Sequence, residues 1–180
     1  KALEYQWYSC NADGSNPQAI STGGTSSTYT VPAGENAGTK YYYCDVTATR
    51  KDNDATETAS SNVATVTISK ASVTVKVNEQ TYEYTGMQRG EGDTAYDDAA
   101  VIATKVDVDG LISSDTITSI VLDGSETNVG VYPNRVELTG IAIGQDGILN
   151  DNYEITRVAG TLTITAPKMA ITVNGDNDTM

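Results

Sequence analysis

The sequence predicts an all-β, or mainly β, protein that consists of successive modules. Thr, Val, Ile and Tyr, the residues that favour strands, dominate its periodic segments. Apolar residues recur at every second position in these segments, as on a strand with one buried face. In addition, most of the segment 65–77 returns almost a hundred residues further on. Together these three observations indicate a tandem array of β domains and not a solenoid, whose repeats are shorter.

The repeated segment marks the junctions between modules. The run 70–75 finds its counterpart in 168–173, and the alternating apolar residues before each run match as well. Each copy is typical of two strands joined by a short break, which is expected where one domain ends and the next begins. The predicted domains are therefore 1–69, 70–166 and, from 167 to 180, the start of a further repeat. We expect an internal fragment of a longer chain.

Charge and composition argue against several functional classes. The chain has 11 basic and 24 acidic residues, a net charge of −13, which disfavours nucleic acid and anionic membranes as partners. It contains no histidine, so imidazole bases and histidine metal ligands are excluded. It also lacks a run of about 18 apolar residues, so we expect no membrane contact by this segment. The acidity itself is typical of a soluble, exposed surface.

Five strands are predicted in the first module, and clusters of Gly, Asn, Asp and Pro separate them. They are 3–8, 18–21, 27–31, 41–47 and 60–68. The charged run 50–57 has no apolar face and predicts a solvated hairpin tip. Its Asp52, Asp54 and Glu57 could hold a cation, but the run lacks the glycine and the distal glutamate of a calcium loop. The solvated tip is therefore the favoured interpretation.

The first module contains Tyr5-Gln6-Trp7-Tyr8 and, some way downstream, Tyr42-Tyr43-Cys44 with a tyrosine two residues before the cysteine. In these residues it resembles a bacterial immunoglobulin-like (Ig-like) surface domain. It implies a β-sandwich with Trp7 and Tyr42 in its core. An Ig-like domain has two further strands before the tryptophan strand. Either the fragment begins inside the domain, which is then a partial sandwich, or upstream sequence supplies those strands.

The Ig-like layout also has consequences for the cysteines. It implies that Cys10 and Cys44 lie on neighbouring antiparallel strands and form a disulfide, as expected for an extracellular chain. Strict alternation places Cys10 on the face opposite Trp7, so a bulge or turn would have to rotate it. The alternative is a bond from Cys44 to an upstream cysteine.

Three tyrosines of the first module are candidate ligand contacts. If Trp7 and Tyr42 point inward, then Tyr8, Tyr41 and Tyr43 point outward. A ring with a polar edge suits contacts with sugars or proteins. Cross-strand pairing on the sheet surface is the favoured alternative.

The second module is also predicted to be mostly strands. The predicted strands are 72–77, 81–86 with its turn, 116–122, 131–138 with 141–143, and a terminal hairpin formed by 153–158 and 161–165. The polar segment 89–98 is predicted as a loop, and Asp123-Gly124 as a turn. The segment 99–108 is apolar enough for a strand and rich enough in alanine for a helix, so both alternatives stay open.

Five short segments of the second module carry a resemblance to a known family. They are Thr81-Tyr82-Glu83-Tyr84-Thr85-Gly86, Asp115-Thr116-Ile117-Thr118-Ser119, Thr127-Asn128-Val129-Gly130-Val131-Tyr132, Asn152-Tyr153-Glu154-Ile155-Thr156 and Gly160-Thr161-Leu162-Thr163-Ile164. In these segments the module resembles the MBG family, repeated domains of large bacterial surface proteins whose name links them to mucin-binding adhesins. The resemblance implies an extracellular β-rich module, with a β-grasp-like fold as one option, that is arranged in arrays on the bacterial cell wall. It carries over no ligand residues.

We therefore expect a non-enzymatic segment of a bacterial cell-surface protein that spaces or presents an adhesion region. No catalytic residues, cofactor or metal are predicted, because pairs such as Asp107 and Asp109 match ordinary outward-facing polar residues of a strand. The expected partners are neighbouring repeats of the same chain and host glycoprotein or mucin glycans. The alternatives are a module that itself binds glycans or mucin, and an accessory module of a secreted enzyme.

Overall fold

A computed structural model of the chain describes residues 2–112 and 114–169. The fold is mainly β, which confirms the predicted fold class. The chain divides into two compact units between Ala71 and Ser72, and the short segment Asp151–Tyr153 groups with unit 1. The sequence placed a domain boundary between residues 69 and 70. Residues 170–180 lie outside the described residues, and the predicted further repeat falls largely on them.

Unit 1 contains one antiparallel sheet of five strands. They are β1 (Ala2–Cys10), β2 (Gln18–Ala19), β3 (Gly38–Thr49), β4 (Thr56–Ser60) and β5 (Ala64–Ile68). The long strand β3 lies in the middle, with β1 and then β2 on one side, and β4 and β5 one after the other along its second side. The predicted single strand 60–68 is therefore wrong, because the chain breaks at Ser61–Val63 to move from one half of β3 to the other.

The predicted strand 27–31 is also wrong. This stretch forms no strand and belongs to a loop that is tied to β1. Trp7 N donates to the carbonyl oxygen of Gly24 at 2.7 Å, and Trp7 Nε1 donates to that of Ser26 at 3.0 Å. The ring of Tyr29 lies 6.1 Å from that of Trp7 and 5.5 Å from that of Tyr42, measured between centroids. Packing on one aromatic face, and not strand pairing, thus places these residues.

Unit 2 contains a five-stranded sheet in the order β7-β13-β11-β10-β8 and a three-stranded sheet in the order β12-β6-β9. The strands are β6 (Ala71–Val77), β7 (Gln80–Glu83), β8 (Arg89–Tyr96), β9 (Val106–Asp109), β10 (Ile117–Glu126), β11 (Gly130–Ile143), β12 (Tyr153–Val158) and β13 (Gly160–Thr165). Two 3₁₀ turns, Gln145–Gly147 and Asn150–Asn152, connect β11 to β12. Strands β7 and β13 are parallel, and the other pairs of the larger sheet are antiparallel.

The segment 99–108 combines both of the predicted alternatives. It begins as helix α1 (Ala99–Lys105) and continues as β9. The side chain of Asp98 caps the helix, because its Oδ1 accepts from the backbone N–H groups of Ala100 and Val101 at 2.9 and 3.0 Å. The alanine-rich half therefore forms the helix, and the alternating half, Val106 to Asp109, forms the strand. No helix among the described residues is long and apolar enough to cross a membrane.

The alternating apolar residues of both sheets form the core of unit 2. Strand β6 buries every second side chain, and the larger sheet contributes side chains that are equally inaccessible. The fully buried residues are Val73, Val75, Val77, Ile120, Leu122, Val136, Ile143, Leu162 and Ile164. Alternation thus identified most of this core correctly.

Three predictions for the second module are wrong. The segment 89–98 is mostly the edge strand β8, although it has no apolar periodicity. Asp123-Gly124 does not turn the chain but lies inside β10, where Gly124 has φ +137° and a Cβ there would lie 1.9 Å from the carbonyl oxygen of Arg135. The segments 153–158 and 161–165 do not form a hairpin, because β12 and β13 belong to different sheets.

Candidate functional site

The tyrosines predicted as ligand contacts share one face of the sheet in unit 1. The register pairs Tyr8 with Tyr43 and Cys10 with Tyr41, whereas Trp7 pairs with Cys44 on the opposite face. The rings of Tyr8 and Tyr43 are stacked, with centroids 5.1 Å apart and planes 15° apart. Each ring therefore covers one face of the other, as in the cross-strand alternative. All three tyrosines are only half-buried, so their remaining edges are accessible.

The side chains that surround this tyrosine face are either uncharged polar groups or carboxylates. The hydroxyl of Ser60 donates to Asp45 Oδ1, and the hydroxyls of Thr47 and Thr58 lie 2.8 Å apart on adjacent strands. Partial burial raises the pKa of the Tyr43 phenol, and the nearby Asp45 carboxylate raises it further. The phenol therefore stays protonated at neutral pH and can donate a hydrogen bond. A ligand role for this face stays a prediction.

The two residues predicted for the Ig-like core lie on the other face. Tyr42 is buried, with 7% of its surface exposed, whereas Trp7 is only half-buried. Leu3, which alternation places on the Trp7 face of β1, is 51% exposed. Among the described residues of unit 1 there is one sheet, so no second sheet covers this face. The loop that contains Tyr29 packs against Trp7 and Tyr42 instead.

The predicted disulfide between Cys10 and Cys44 is not supported, because both thiols are free. The two strands pair without any register shift, Cys10 opposite Tyr41 and Cys44 opposite Trp7. Opposite residues share a face, and Cys44 lies three positions, an odd number, from Tyr41, the residue opposite Cys10. The two thiols therefore point to opposite sides of the sheet. The bulge that the bond requires is absent from this strand pair.

We expect the two thiols to react at different rates. Cys44 is 5% exposed, and burial raises its pKa, so little thiolate is present and reagent has little access. Cys10 is more accessible. Labelling of the native protein with a maleimide, followed by peptide mass analysis, should modify Cys10 at least about tenfold faster than Cys44. Labelling in urea should make the rates similar, and an unreactive pair that becomes reactive only after reduction would restore the disulfide hypothesis.

The hairpin tip of unit 1 does not assemble a cation site. Arg50 Nη2 lies 3.2 Å from Asp52 Oδ2, so the tip carries its own counter-ion. Within residues 2–112 and 114–169, no three side chains of the types that bind metals come together. The interpretation of 50–57 as a solvated tip fits this geometry better than cation binding does.

Unit 2 contains a buried polar cluster that the sequence did not predict. Glu91 on β8 is 3% exposed. Its Oε1 accepts hydrogen bonds from Lys105 Nζ at 2.8 Å and from Gln80 Nε2 at 2.9 Å, and its Oε2 accepts from the Tyr96 hydroxyl at 2.7 Å. The Tyr82 hydroxyl in turn donates to Gln80 Oε1 at 3.0 Å. We call these five residues the Glu91 cluster. It connects β7, β8 and the last turn of α1.

The electrostatics of the Glu91 cluster favour an ion pair. Burial alone raises the pKa of the Glu91 carboxyl, but hydrogen bonds from Lys105, Tyr96 and Gln80 outweigh this effect and hold the pKa below its ordinary value. Burial alone lowers the pKa of Lys105, but Glu91 and Tyr96 raise it above its ordinary value. The ammonium group also lies 4.9 Å from the centre of the Tyr96 ring.

This charge state determines what the Glu91 cluster can do. A protonated lysine is not a nucleophile, and a carboxylate with a lowered pKa is a weak base. Burial and the hydrogen bond to Glu91 also raise the pKa of Tyr96, so its phenol stays a donor at neutral pH. The arrangement therefore suits the attachment of α1 to the sheet better than acid-base or covalent catalysis.

Acid should weaken unit 2 through Glu91. Because the folded-state pKa lies below the unfolded-state value, the stabilisation is fully present above the unfolded-state value of about 4.3 and is lost as the pH falls through the lower folded-state pKa. The free energy of unfolding of unit 2, measured by hydrogen exchange of the β8 and β10 amides between pH 7 and pH 3, should show a smaller acid loss in Glu91→Gln than in the unchanged protein. The exposed control Glu154→Gln should keep the full loss, and equal losses in both variants would contradict the prediction.

One sequence signal could have indicated the Glu91 cluster. Lys105 lies beside Val106 and three residues after Ile102, so it shares the face through which α1 buries Ile102. A lysine on the apolar face of a short helix requires a buried acceptor. The identity of that acceptor is not visible in the sequence, because Glu91 stands among the polar residues 89–98.

Comparison of this chain with known proteins does not test the resemblances to Ig-like and MBG domains, which stay predictions. No family model, no curated protein and no solved structure matches this chain.

Proposed function

We propose that this chain is a structural and adhesive segment of a bacterial cell-surface protein, and that it spaces or presents an adhesion region. The observation that carries the proposal is the division of the chain into two compact β units, with only Ser69 and Lys70 between β5 and β6. A very short connection between folded units suits a chain that must span distance, since a long flexible linker would coil.

The chemistry of the chain also supports a role without catalysis. The buried carboxylate of Glu91 is held by Lys105, Tyr96 and Gln80 and so is not free to act as a base. The net charge of −13 favours solubility and disfavours association of equal surfaces. Partners in this proposal are the neighbouring repeats of the same chain.

Replacement of the segment in its parent protein tests the spacer role. Deletion of residues 2–169 should reduce adhesion of cells that display the protein, and an unrelated β segment of similar length should restore it. If the unrelated segment does not restore adhesion, a specific contact and not spacing is required, and the spacer proposal fails.

A second candidate function is direct binding of glycans, including those of host mucin. The observation that favours it is the shared, half-exposed face of Tyr8, Tyr41 and Tyr43, which lies beside a row of threonine hydroxyls. Aromatic edges and hydroxyls are the groups that sugar hydroxyls and C–H faces contact.

A glycan array with the whole chain separates the two candidates. Saturable binding that is lost in Tyr41→Ala and kept in Tyr84→Ala would support a glycan site. Tyr84 is a suitable control, because it is an exposed tyrosine of unit 2. Absence of saturable binding, or equal loss in both variants, would contradict this candidate. The role of an accessory module in a secreted enzyme would instead require a catalytic domain elsewhere in the parent protein.

A further inference from the structure

One half of strand β1 has a backbone edge without a partner. At Trp7 the edge that faces away from β3 is occupied, because Trp7 N donates to the carbonyl oxygen of Gly24 at 2.7 Å and the Trp7 carbonyl oxygen accepts from Ile20 N at 2.9 Å. Backbone groups of an antiparallel strand point to the same side at every second residue, so those of Leu3 and Tyr5 point to this edge as well. Within the part of the chain that the structure describes, these groups make no hydrogen bond. The edge can therefore accept another strand.

A cavity lies beside this edge and reaches both faces of the sheet. Its volume is about 450 Å³, and it is lined by Leu3 and Tyr5 from one face of β1 and by Glu4 and Gln6 from the other. Thr25, which follows the last loop residue that bonds to the edge of β1, lines it as well. Leu3 is 51% exposed, so an apolar side chain is accessible at the edge. A strand added here would contact side chains of both faces.

Each face of β1 favours a different type of side chain in an added strand, because residues opposite each other share a face. Residues opposite Leu3 and Tyr5 would lie on the face of Trp7, which no second sheet covers among the described residues, so apolar side chains fit there. Residues opposite Glu4 would lie on the face of Asp45. Neither carboxylate forms an ion pair with another described residue, so basic side chains fit on that face.

A second copy of this chain fits the edge less well. Antiparallel pairing of two β1 edges that sets Leu3 opposite Tyr5 also sets Glu4 opposite Glu4 of the other copy. Like charges directly opposite each other destabilise a strand pair, and the net charge of −13 adds repulsion between two copies. A basic partner avoids both effects.

We propose that this edge of β1 binds an extended segment of a partner protein, in which apolar residues alternate with Lys or Arg, as an added antiparallel strand. The backbone groups of Leu3 and Tyr5 provide the hydrogen bonds, and the side chains of the two faces provide the specificity. The basic side chains of the partner lie beside Glu4 and Asp45, and its apolar side chains lie on the face of Trp7. Such binding does not depend on the spacer role.

A synthetic peptide in which Lys and Val alternate over about six residues tests the hydrogen bonds of this edge. The peptide is titrated into the whole chain while hydrogen exchange of the β1 amides is followed by NMR. At saturation, exchange of the Leu3 and Tyr5 amides should slow at least about tenfold, whereas the amides of Glu4 and Gln6, which point to β3, should change little.

Methylated peptides provide the matched control. In the antiparallel pair the N–H groups of the Val residues point to β1, so N-methylation of these residues should abolish binding. The N–H groups of the Lys residues point away, so their N-methylation should preserve it. Absence of saturable binding, or equal effects of the two methylations, would overturn the proposal.

Charge reversal tests the chemistry of the partner. Replacing Lys by Glu in the peptide should weaken its binding to the unchanged protein at least about fivefold. In Glu4→Lys the preference should shift towards the acidic peptide. The control Glu57→Lys makes the same change at an exposed position of β4 and should keep the preference for the basic peptide. Equal binding of both peptides to the unchanged protein would contradict a basic partner.

Light scattering without peptide tests the alternative occupant. The chain should stay monomeric, and exchange of the Leu3 and Tyr5 amides should not depend on protein concentration. A dimer whose formation slows exchange of these two amides would show that a second copy occupies the edge, and a partner of basic and apolar residues would then be the wrong assignment.

Discussion

Replacing Lys105 by methionine should lower the free energy of unfolding of unit 2 by about 3–5 kcal/mol. The reason is the environment of Glu91, which is 3% exposed and loses its ion pair with Lys105 in this variant. A buried carboxylate with no counter-ion must either stay charged at a high cost or take up a proton. The hydrogen bonds from Tyr96 and Gln80 remain, but they do not neutralise the charge.

Replacing Glu91 by glutamine should lower the free energy of unfolding by less than replacing Lys105 by methionine. In Glu91→Gln the carboxylate is gone, and Lys105, whose side chain is 22% exposed, can turn its ammonium group towards water. The double variant Glu91→Gln with Lys105→Met should therefore be more stable than Lys105→Met alone, since it removes the unpaired charge. The control is Lys76→Met, which removes an exposed lysine of β6 and should change stability by no more than about 0.5 kcal/mol.

The measurement must distinguish the two units. The only tryptophan of the chain, Trp7, lies in unit 1, so its fluorescence does not report on Lys105. Hydrogen exchange of the amides of β8, α1 and β10 reports on unit 2 directly, and a single unfolding free energy is not defined for a chain with two units. A loss confined to the Trp7 signal, or a double variant less stable than Lys105→Met, would contradict the assigned role of the pair.

Shortening the matching apolar side chain in each copy of the repeated segment should destabilise unit 2 much more than unit 1. Leu162→Ala should destabilise unit 2 by about 2–5 kcal/mol, because Leu162 is completely buried in the core of this unit. Val66→Ala, at the matching position of the first copy, should cost unit 1 only about 1 kcal/mol or less, because Val66 is half-exposed. Equivalent positions in sequence are thus not equivalent in packing.

Denaturant unfolding tests this difference with two probes. Trp7 fluorescence follows unit 1, and hydrogen exchange of the β13 amides follows unit 2. Thr163→Ala is a control on the same strand, since Thr163 is half-exposed and points to the other face. If Val66→Ala costs as much as Leu162→Ala, the Val66 side chain lies in a core as closed as that of unit 2, and the assigned exposure is wrong.

Most of the strands could be predicted because their alternation is local. Apolar residues at every second position located β1, β3, β6, β10, β11 and β13, and Gly-, Asn- and Asp-rich clusters located several of the loops between them. The helix α1 stayed open because alanine-rich apolar segments suit both states, and the Asp98 cap decided in favour of the helix. The edge strand β8 was missed, since its inward side chain is Glu91 and not an apolar residue.

The candidate sites depended on contacts between distant segments, so the sequence predicted them only in part. It placed Tyr8, Tyr41 and Tyr43 together on one face, because that inference needs only alternation and the pairing of two strands. Alternation also placed Cys10 on the face opposite Trp7, which the register confirms, but the bulge that would rotate Cys10 towards Cys44 is absent and the predicted disulfide is not supported. The sequence did not show that Glu91 meets Lys105.

By itself, the sequence determined the mainly β class, the strand positions and the repeated junction segment, because strand periodicity and turn preferences act between residues a few positions apart. Only the tertiary structure decided which sheet each strand joins, why Leu162 is buried whereas the matching Val66 is half-exposed, and that Glu91 pairs with Lys105. These outcomes depend on burial and on distances across the fold, and a side chain's solvation and partners are set by neighbours that lie far away along the chain.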